Sequence, residues 1–139
     1  MGIVKARVRL KGSKGSKEYI TMVDTGAAMT VVDRKSADSI GVIYTGRKRA
    51  LTSATGHKLE GEIAVVRELI LEDEVLDYEK LLSVNFSEEV KEVLRKLGVD
   101  DSIILGLTTV ELASFVPDTS TGRLNKVETF LFFSGLCQR

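Results

Sequence analysis

Histidine and cysteine are almost absent from this chain, which has one of each in 139 residues, His57 and Cys137. One histidine cannot build a His-rich metal cage, and one cysteine adds at most a single thiolate ligand. A Ser-His-Asp or Cys-His mechanism would have to use His57, and no G-x-S-x-G signature surrounds any serine. We therefore expect neither a metal nor a cofactor, and carboxylate chemistry remains among the common hydrolytic mechanisms.

Net charge is also absent, because 20 basic and 20 acidic side chains cancel. Such a chain has no global positive field that would attract nucleic acid or an acidic membrane. Its apolar runs are far shorter than the roughly 20 residues of a membrane span, and its start lacks a signal-peptide pattern. A lone cysteine excludes an internal disulfide and agrees with a reducing compartment. We expect a soluble, cytoplasmic protein with no nucleic-acid or membrane partner.

The chain pattern indicates a mostly β fold. Residues 3–10 alternate apolar with basic side chains, the period of a half-buried strand, and the Gly/Ser-rich stretch 12–17 predicts a hairpin turn. Further strands are predicted at 18–23 and 31–32, one or two within 67–84, one at 102–106 and a last one at 127–133. Residues 50–66 predict a hairpin whose tip is Gly56 and His57.

Two or three short helices interrupt the strands. Residues 33–40 predict one that stops at Gly41, and the spacing of apolar residues in 87–97 predicts a second that stops at Gly98. Thr108 and Glu111 have the spacing of a capping box, which predicts a third helix directly after strand 102–106. Residues 118–122 are typical of a turn.

One segment indicates chemistry, Val23-Asp24-Thr25-Gly26-Ala27. The Asp-Thr-Gly triplet alone is a weak signal, but apolar residues precede it and small residues follow it. The stretch resembles the active-site segment of the retropepsin-like aspartic proteases. This resemblance implies a small closed acid-protease barrel, a flap hairpin around residue 56 and two chains that together form one site.

The resemblance extends over about residues 4–112. The sequence Ile104-Leu105-Gly106 matches the family's hydrophobic-hydrophobic-glycine element, whereas Ala28 and Leu107 stand where retroviral members have an acidic residue and an arginine. We interpret residues 1–139 as one retropepsin-like domain with a helical insertion at 85–98.

The same resemblance assigns the site. Asp24, Thr25 and Gly26 are the expected catalytic triplet, Thr25 supporting the paired aspartates by hydrogen bonding across the interface and Gly26 leaving room for substrate. The expected substrate-binding residues lie on the pocket floor and at the flap tip: Ala27, Ala28, Thr55, Gly56 and His57.

These residue types suit peptide hydrolysis. Without a metal or a nucleophile, one carboxylate must take a proton from water while a carboxylic acid polarises the carbonyl. Two neighbouring aspartates share one proton and meet both needs. Because one chain offers one such residue, the hypothesis is a homodimeric aspartic endopeptidase with an Asp24/Asp24′ dyad that cleaves polypeptides.

Other interpretations remain open at the level of sequence. Asp24-Thr25-Gly26 also fits an ordinary turn between strands, since Asp and Gly are favoured there. His57 also fits an exposed hairpin tip without a chemical role. The departures at Ala28 and Leu107 leave room for a non-catalytic peptide-binding or regulatory module on the same barrel. A domain cut from a larger polyprotein is a third option.

Overall fold

A computed structural model describes residues 2–52 and 58–128 of the chain. The strands of this part are β1 Lys5–Lys11, β2 Ser16–Asp24, β3 Val31–Asp33, β4 Ile43–Thr52, β5 Lys58–Leu71, β6 Glu74–Val84, β7 Ile103–Gly106, β8 Phe115–Asp118 and β9 Arg123–Lys126. Its helices are α1 Arg34–Ile40, α2 Glu88–Lys96 and α3 Leu107–Leu112. The protein is therefore mostly β with short helices, as the sequence predicts.

The N-terminal hairpin follows from alternation. In β1 the side chains of Ala6, Val8 and Leu10 are buried while the basic residues between them are exposed. β1 pairs antiparallel with β2, and Gly12 N donates to Gly15 O at 2.9 Å in the connecting turn. The predicted strands and their hairpin turn are thus confirmed.

The main sheet closes into a barrel. Its strands are ordered β1-β2-β7-β3-β6-β5-β4, and β1 also pairs with β5, which leaves six strands in a ring and β4 outside it. The pairing runs from Val8 opposite Leu71 to Lys11 opposite Glu68. Inward-facing residues from around the ring fill the interior, among them Tyr19, Leu10, Leu69, Leu71, Leu81, Ile103 and Leu105. The expected small closed barrel is confirmed.

β4 and β5 form the arms of the hairpin predicted at 50–66. They pair antiparallel from Ile43 opposite Val65 to Thr52 opposite Lys58, with an irregularity between Tyr44 and Lys48. The hairpin is longer than predicted because β4 begins at residue 43. Its tip, with the expected substrate-binding residues Thr55, Gly56 and His57, lies outside the described residues.

The predicted helices are present with their expected stops. α1 ends at Gly41, whose φ of 82° is the left-handed conformation that glycine adopts without strain. In α2 the hydroxyl of Ser87 accepts a hydrogen bond from Val90 N at 3.2 Å, so this serine caps the helix. None of the helices in residues 2–52 and 58–128 is long and apolar enough to cross a membrane.

The capping box predicted at Thr108 and Glu111 is wrong. α3 begins one residue after Gly106, which is its N-cap, and no side chain caps the helix there. The hydroxyl of Thr108 instead donates to Ala28 O at 2.7 Å. A tertiary contact therefore uses the side chain that the local pattern assigned to the helix end.

The C-terminal region also differs from the prediction. Residues 118–122 do form a turn, but it connects β8 to β9, a hairpin that the sequence does not predict. The sequence predicts a last strand at 127–133. Residues 127 and 128 are not in a strand, although Val127 N donates to Ser114 O at 2.8 Å, and 129–133 lie outside the described residues.

Candidate active site

Asp24 lies at the end of β2, where the strand turns. Its Cα partner is Gly106, the last residue of the parallel strand β7. The side-chain Oδ1 accepts a hydrogen bond from Gly26 N at 2.9 Å, and the backbone oxygen accepts one from Ala27 N at 3.0 Å. Asp24 is partly buried, and Thr25 and Gly26 are exposed. The turn thus holds a solvent-accessible carboxylate in a defined orientation.

The loop after Asp24 is fixed to the start of α3. Leu107 N donates to Ala27 O at 2.8 Å, and both the backbone N (3.1 Å) and the hydroxyl (2.7 Å) of Thr108 donate to Ala28 O. These bonds pair backbone groups that would otherwise need water or another partner. They hold the Asp24 turn rigidly against the barrel.

Gly106 makes this contact sterically possible. A Cβ atom at this position would lie 2.2 Å from the carbonyl carbon of Met29 and 2.6 Å from Thr30 N. No side chain fits at such distances. A glycine at this place is therefore explained by close backbone approach directly beside the Asp24 strand.

A chain of buried polar groups runs beneath the turn. Gly106 N donates to Thr30 Oγ1 at 3.1 Å, Thr30 Oγ1 lies 2.7 Å from Thr109 Oγ1, and Thr109 Oγ1 donates to Glu79 Oε2 at 2.9 Å. Thr30 and Thr109 are fully buried, and Glu79 is only 8% exposed. Burial raises the pKa of the Glu79 carboxyl, and the hydrogen bond from Thr109 partly offsets that rise.

An apolar cluster packs against β2 next to Asp24. Met22 is two residues before Asp24 on β2, so both side chains are on the same face of the sheet. Met22 packs with its partner Ile104 and with Leu94 of α2 in one cluster. Phe86 N donates to Asp33 Oδ1 at 3.0 Å, and Lys91 Nζ lies 3.6 Å from Asp33 Oδ2. α2 is therefore fixed beside the candidate site.

The structure brings Asp24, Gly26, Ala27 and Ala28 together in one turn that hydrogen bonds fix to the start of α3, and Thr25 is exposed in this turn. The other expected substrate-binding residues are at the hairpin tip, outside the described residues. The sequence does not predict a site role for Glu79, because a glutamate directly before Lys80 and near Asp77 is typical of a solvent-facing position.

Two comparisons with known proteins returned matches. A family model described as aspartyl protease matches residues 6–109. Among solved structures, a retropepsin-like aspartic protease from Rickettsia conorii matches with 18% sequence identity, over 85% of this chain and 94% of that chain, with a TM-score of 0.45. A comparison with curated protein sequences found no match.

The family match spans most of the chain and includes both the Asp24 turn and the Gly106 segment that fixes it. The aspartic protease assignment that the Asp-Thr-Gly segment suggested is thereby confirmed. This chain belongs to the aspartyl protease family.

Proposed function

We propose that this chain is an aspartic endopeptidase that acts as a cytoplasmic homodimer, with Asp24 of each protomer forming the catalytic dyad. The observation that supports the proposal is the Asp24 carboxylate, presented on a turn that backbone hydrogen bonds fix to the barrel. Family membership supports the same chemistry. We also propose that residues 1–139 form one domain in which 85–98 is a helical insertion.

We propose a dimer because the reaction needs two carboxyl groups, one ionised and one protonated. Hydrolysis needs a base that takes a proton from water and an acid that protonates the leaving nitrogen. Two carboxylates a few ångströms apart cannot both ionise, so the pair holds one proton and provides both functions. A two-fold axis beside Asp24 supplies the second carboxylate from an identical chain.

The remaining site residues have roles that follow from their positions. Thr25 is exposed next to Asp24, which suits a hydrogen bond across the dimer axis. Ala27 and Ala28 offer small side chains to a substrate lying on the turn. β4 is the outer strand of the sheet, and an extended substrate can pair with an outer strand. Thr55, Gly56 and His57 remain the proposed substrate-binding residues of the hairpin.

The test is cleavage of a mixed unfolded-protein substrate from about pH 3 to about pH 8, the range in which carboxylate pairs titrate. Asp24→Asn keeps the shape of the side chain and removes its ionisation, so we expect a folded variant without turnover. A pepstatin-type inhibitor should abolish wild-type cleavage as well. Full turnover by Asp24→Asn would reject the mechanism.

A peptide-binding module on the same barrel is the competing function. It is favoured by Ala28 and Leu107, which depart from the retroviral pattern at the two segments that meet behind Asp24. Peptide binding without cleavage, by a sample shown to be dimeric, would establish this alternative over the endopeptidase.

A further inference from the structure

The buried chain from Gly106 to Glu79 has a fixed hydrogen-bond direction. The Gly106 N–H can only donate, so Thr30 Oγ1 accepts from it. Thr109 donates its hydroxyl proton to Glu79, so its oxygen is free to accept the proton of Thr30. Glu79 accepts through Oε2, and it therefore sets the direction of every bond in this hydrogen-bond series.

The two ends of this series of hydrogen bonds lie on different strands. Glu79 is on β6, at a depression of the surface that Met29, Arg49, Lys80 and Glu111 also line. At the other end is Gly106, the Cα partner of Asp24. Between them, the backbone of Thr30 is bonded to β6, because Thr30 O accepts from Leu82 N at 2.9 Å. The path from β6 to the Asp24 strand therefore consists of buried, satisfied hydrogen bonds.

We propose that Glu79 is a positioning residue for Asp24. As the last acceptor in the series of hydrogen bonds, it fixes the orientation of the Thr109 and Thr30 hydroxyls. The Thr30 hydroxyl in turn holds Gly106, next to the segment to which the Asp24 turn is hydrogen-bonded. The inference rests on the proposed peptidase function, because it assigns Glu79 a part in that reaction. Glu79 does not touch the reacting atoms; it acts through the geometry of the turn.

The alternative is that Glu79 only stabilises the fold, and a double variant separates the two roles. In Glu79→Leu/Thr109→Val both hydrogen-bonding partners become apolar groups of similar size, and the buried group left without its partner is the Thr30 hydroxyl. Thr30 then has no directed acceptor. We expect a lower urea midpoint but a folded protein under assay conditions, KM within about twofold, and kcat lower by about tenfold to a hundredfold, the cost of a misplaced catalytic group.

Conservative and control variants complete the experiment. Glu79→Gln keeps an accepting oxygen, so its kcat should stay within about threefold of wild type. Asp77→Asn neutralises an exposed carboxylate two residues away on the same strand and should leave kcat unchanged. If the double variant does not fold, Thr109→Ala and Thr109→Ser replace it, and only the alanine variant should lose kcat.

The outcomes are distinct. A folded double variant with wild-type kcat, or equal kcat in Thr109→Ala and Thr109→Ser, overturns the inference. If the inference is overturned in this way while Asp24→Asn is inactive in the same assay, the proposed peptidase function is retained and only the role of Glu79 is rejected. A dimeric wild-type sample without any turnover rejects the proposed function and this inference together.

Discussion

Glu79 shows how one buried residue can reduce stability while it orders a site. Its carboxyl is almost inaccessible, and its hydrogen-bonding partner is the neutral hydroxyl of Thr109. Ionising an acid in such a place costs free energy, which is why its pKa is raised. Natural proteins accept costs of this kind at functional sites.

This raised pKa makes stability depend on pH with a defined sign. In the unfolded chain Glu79 ionises near its ordinary value of 4.5, whereas the folded protein retains the proton to higher pH. Stability from this residue is complete below that value and is lost as pH rises through the folded pKa. Glu79→Gln never ionises, so in urea unfolding it should gain stability relative to wild type between about pH 4 and pH 7. A difference that is constant with pH would contradict the prediction.

Gly106 is the second residue with a sharp consequence. Gly106→Ala would place a methyl group against the backbone of Met29 at 2.2 to 2.3 Å, where no flexible side chain can move away. We expect a loss of about 1–3 kcal/mol in the free energy of unfolding, as for overpacked cores, together with reduced turnover because the Asp24 turn shifts. Gly2→Ala is a matched control, because nothing lies within 4 Å of a Cβ there.

The sequence pointed to Asp24 and missed Glu79 for a physical reason. An Asp-Thr-Gly triplet between an apolar strand and small residues is a local pattern, so the sequence displays it directly. The burial of Glu79 depends on a change of phase in β6, where Tyr78 has a φ of 53° and the inward-facing positions shift from Leu81 and Glu79 to Leu76. Simple alternation does not reveal such a shift.

Among the elements, α2 lies beside the candidate site and belongs to the proposed insertion. Its sequence marks both ends of the helix: Ser87 caps the start, acidic residues occupy the first turn and basic residues the last. Its single fully buried side chain, Leu94, packs into the cluster that contains Met22 and Ile104. The helix and the Asp24 strand therefore share one apolar core.

Leu94→Ala tests that packing. The change leaves a cavity in the shared cluster, and we expect it to lower the free energy of unfolding by about 2–5 kcal/mol. Val93→Ala on the same helix is the control, because Val93 is 57% exposed and should change stability by less than about 0.5 kcal/mol. Similar urea midpoints for the two variants would show that α2 is not anchored through Leu94.

Elements with local signals were predictable, and elements defined by tertiary contacts were not. Alternation in β1 and the capping and stop residues of α2 were sufficient to place both. The capping box at Thr108 was wrong because a distant carbonyl, Ala28 O, competes for the same hydroxyl. β8 and β9 are four residues each, too short to show a clear period.

For the whole molecule, closure of the barrel depends on pairing between distant parts of the chain. β1 meets β5 about sixty residues later along the chain, and β7 inserts between β2 and β3. The family resemblance predicted this closed topology, whereas periodicity predicted only the individual strands. The result is a barrel that presents one candidate catalytic carboxylate, Asp24, at the end of β2.

The central claim is that two copies of Asp24 act as one site, and mixing protomers tests it most directly. Wild-type and Asp24→Asn chains are refolded together in equal amounts, and cleavage is measured per wild-type chain. If the dyad needs both aspartates, about one quarter of the dimers are active and the activity per wild-type chain falls to about half. Unchanged activity per wild-type chain would show that each protomer works alone and would contradict the shared site.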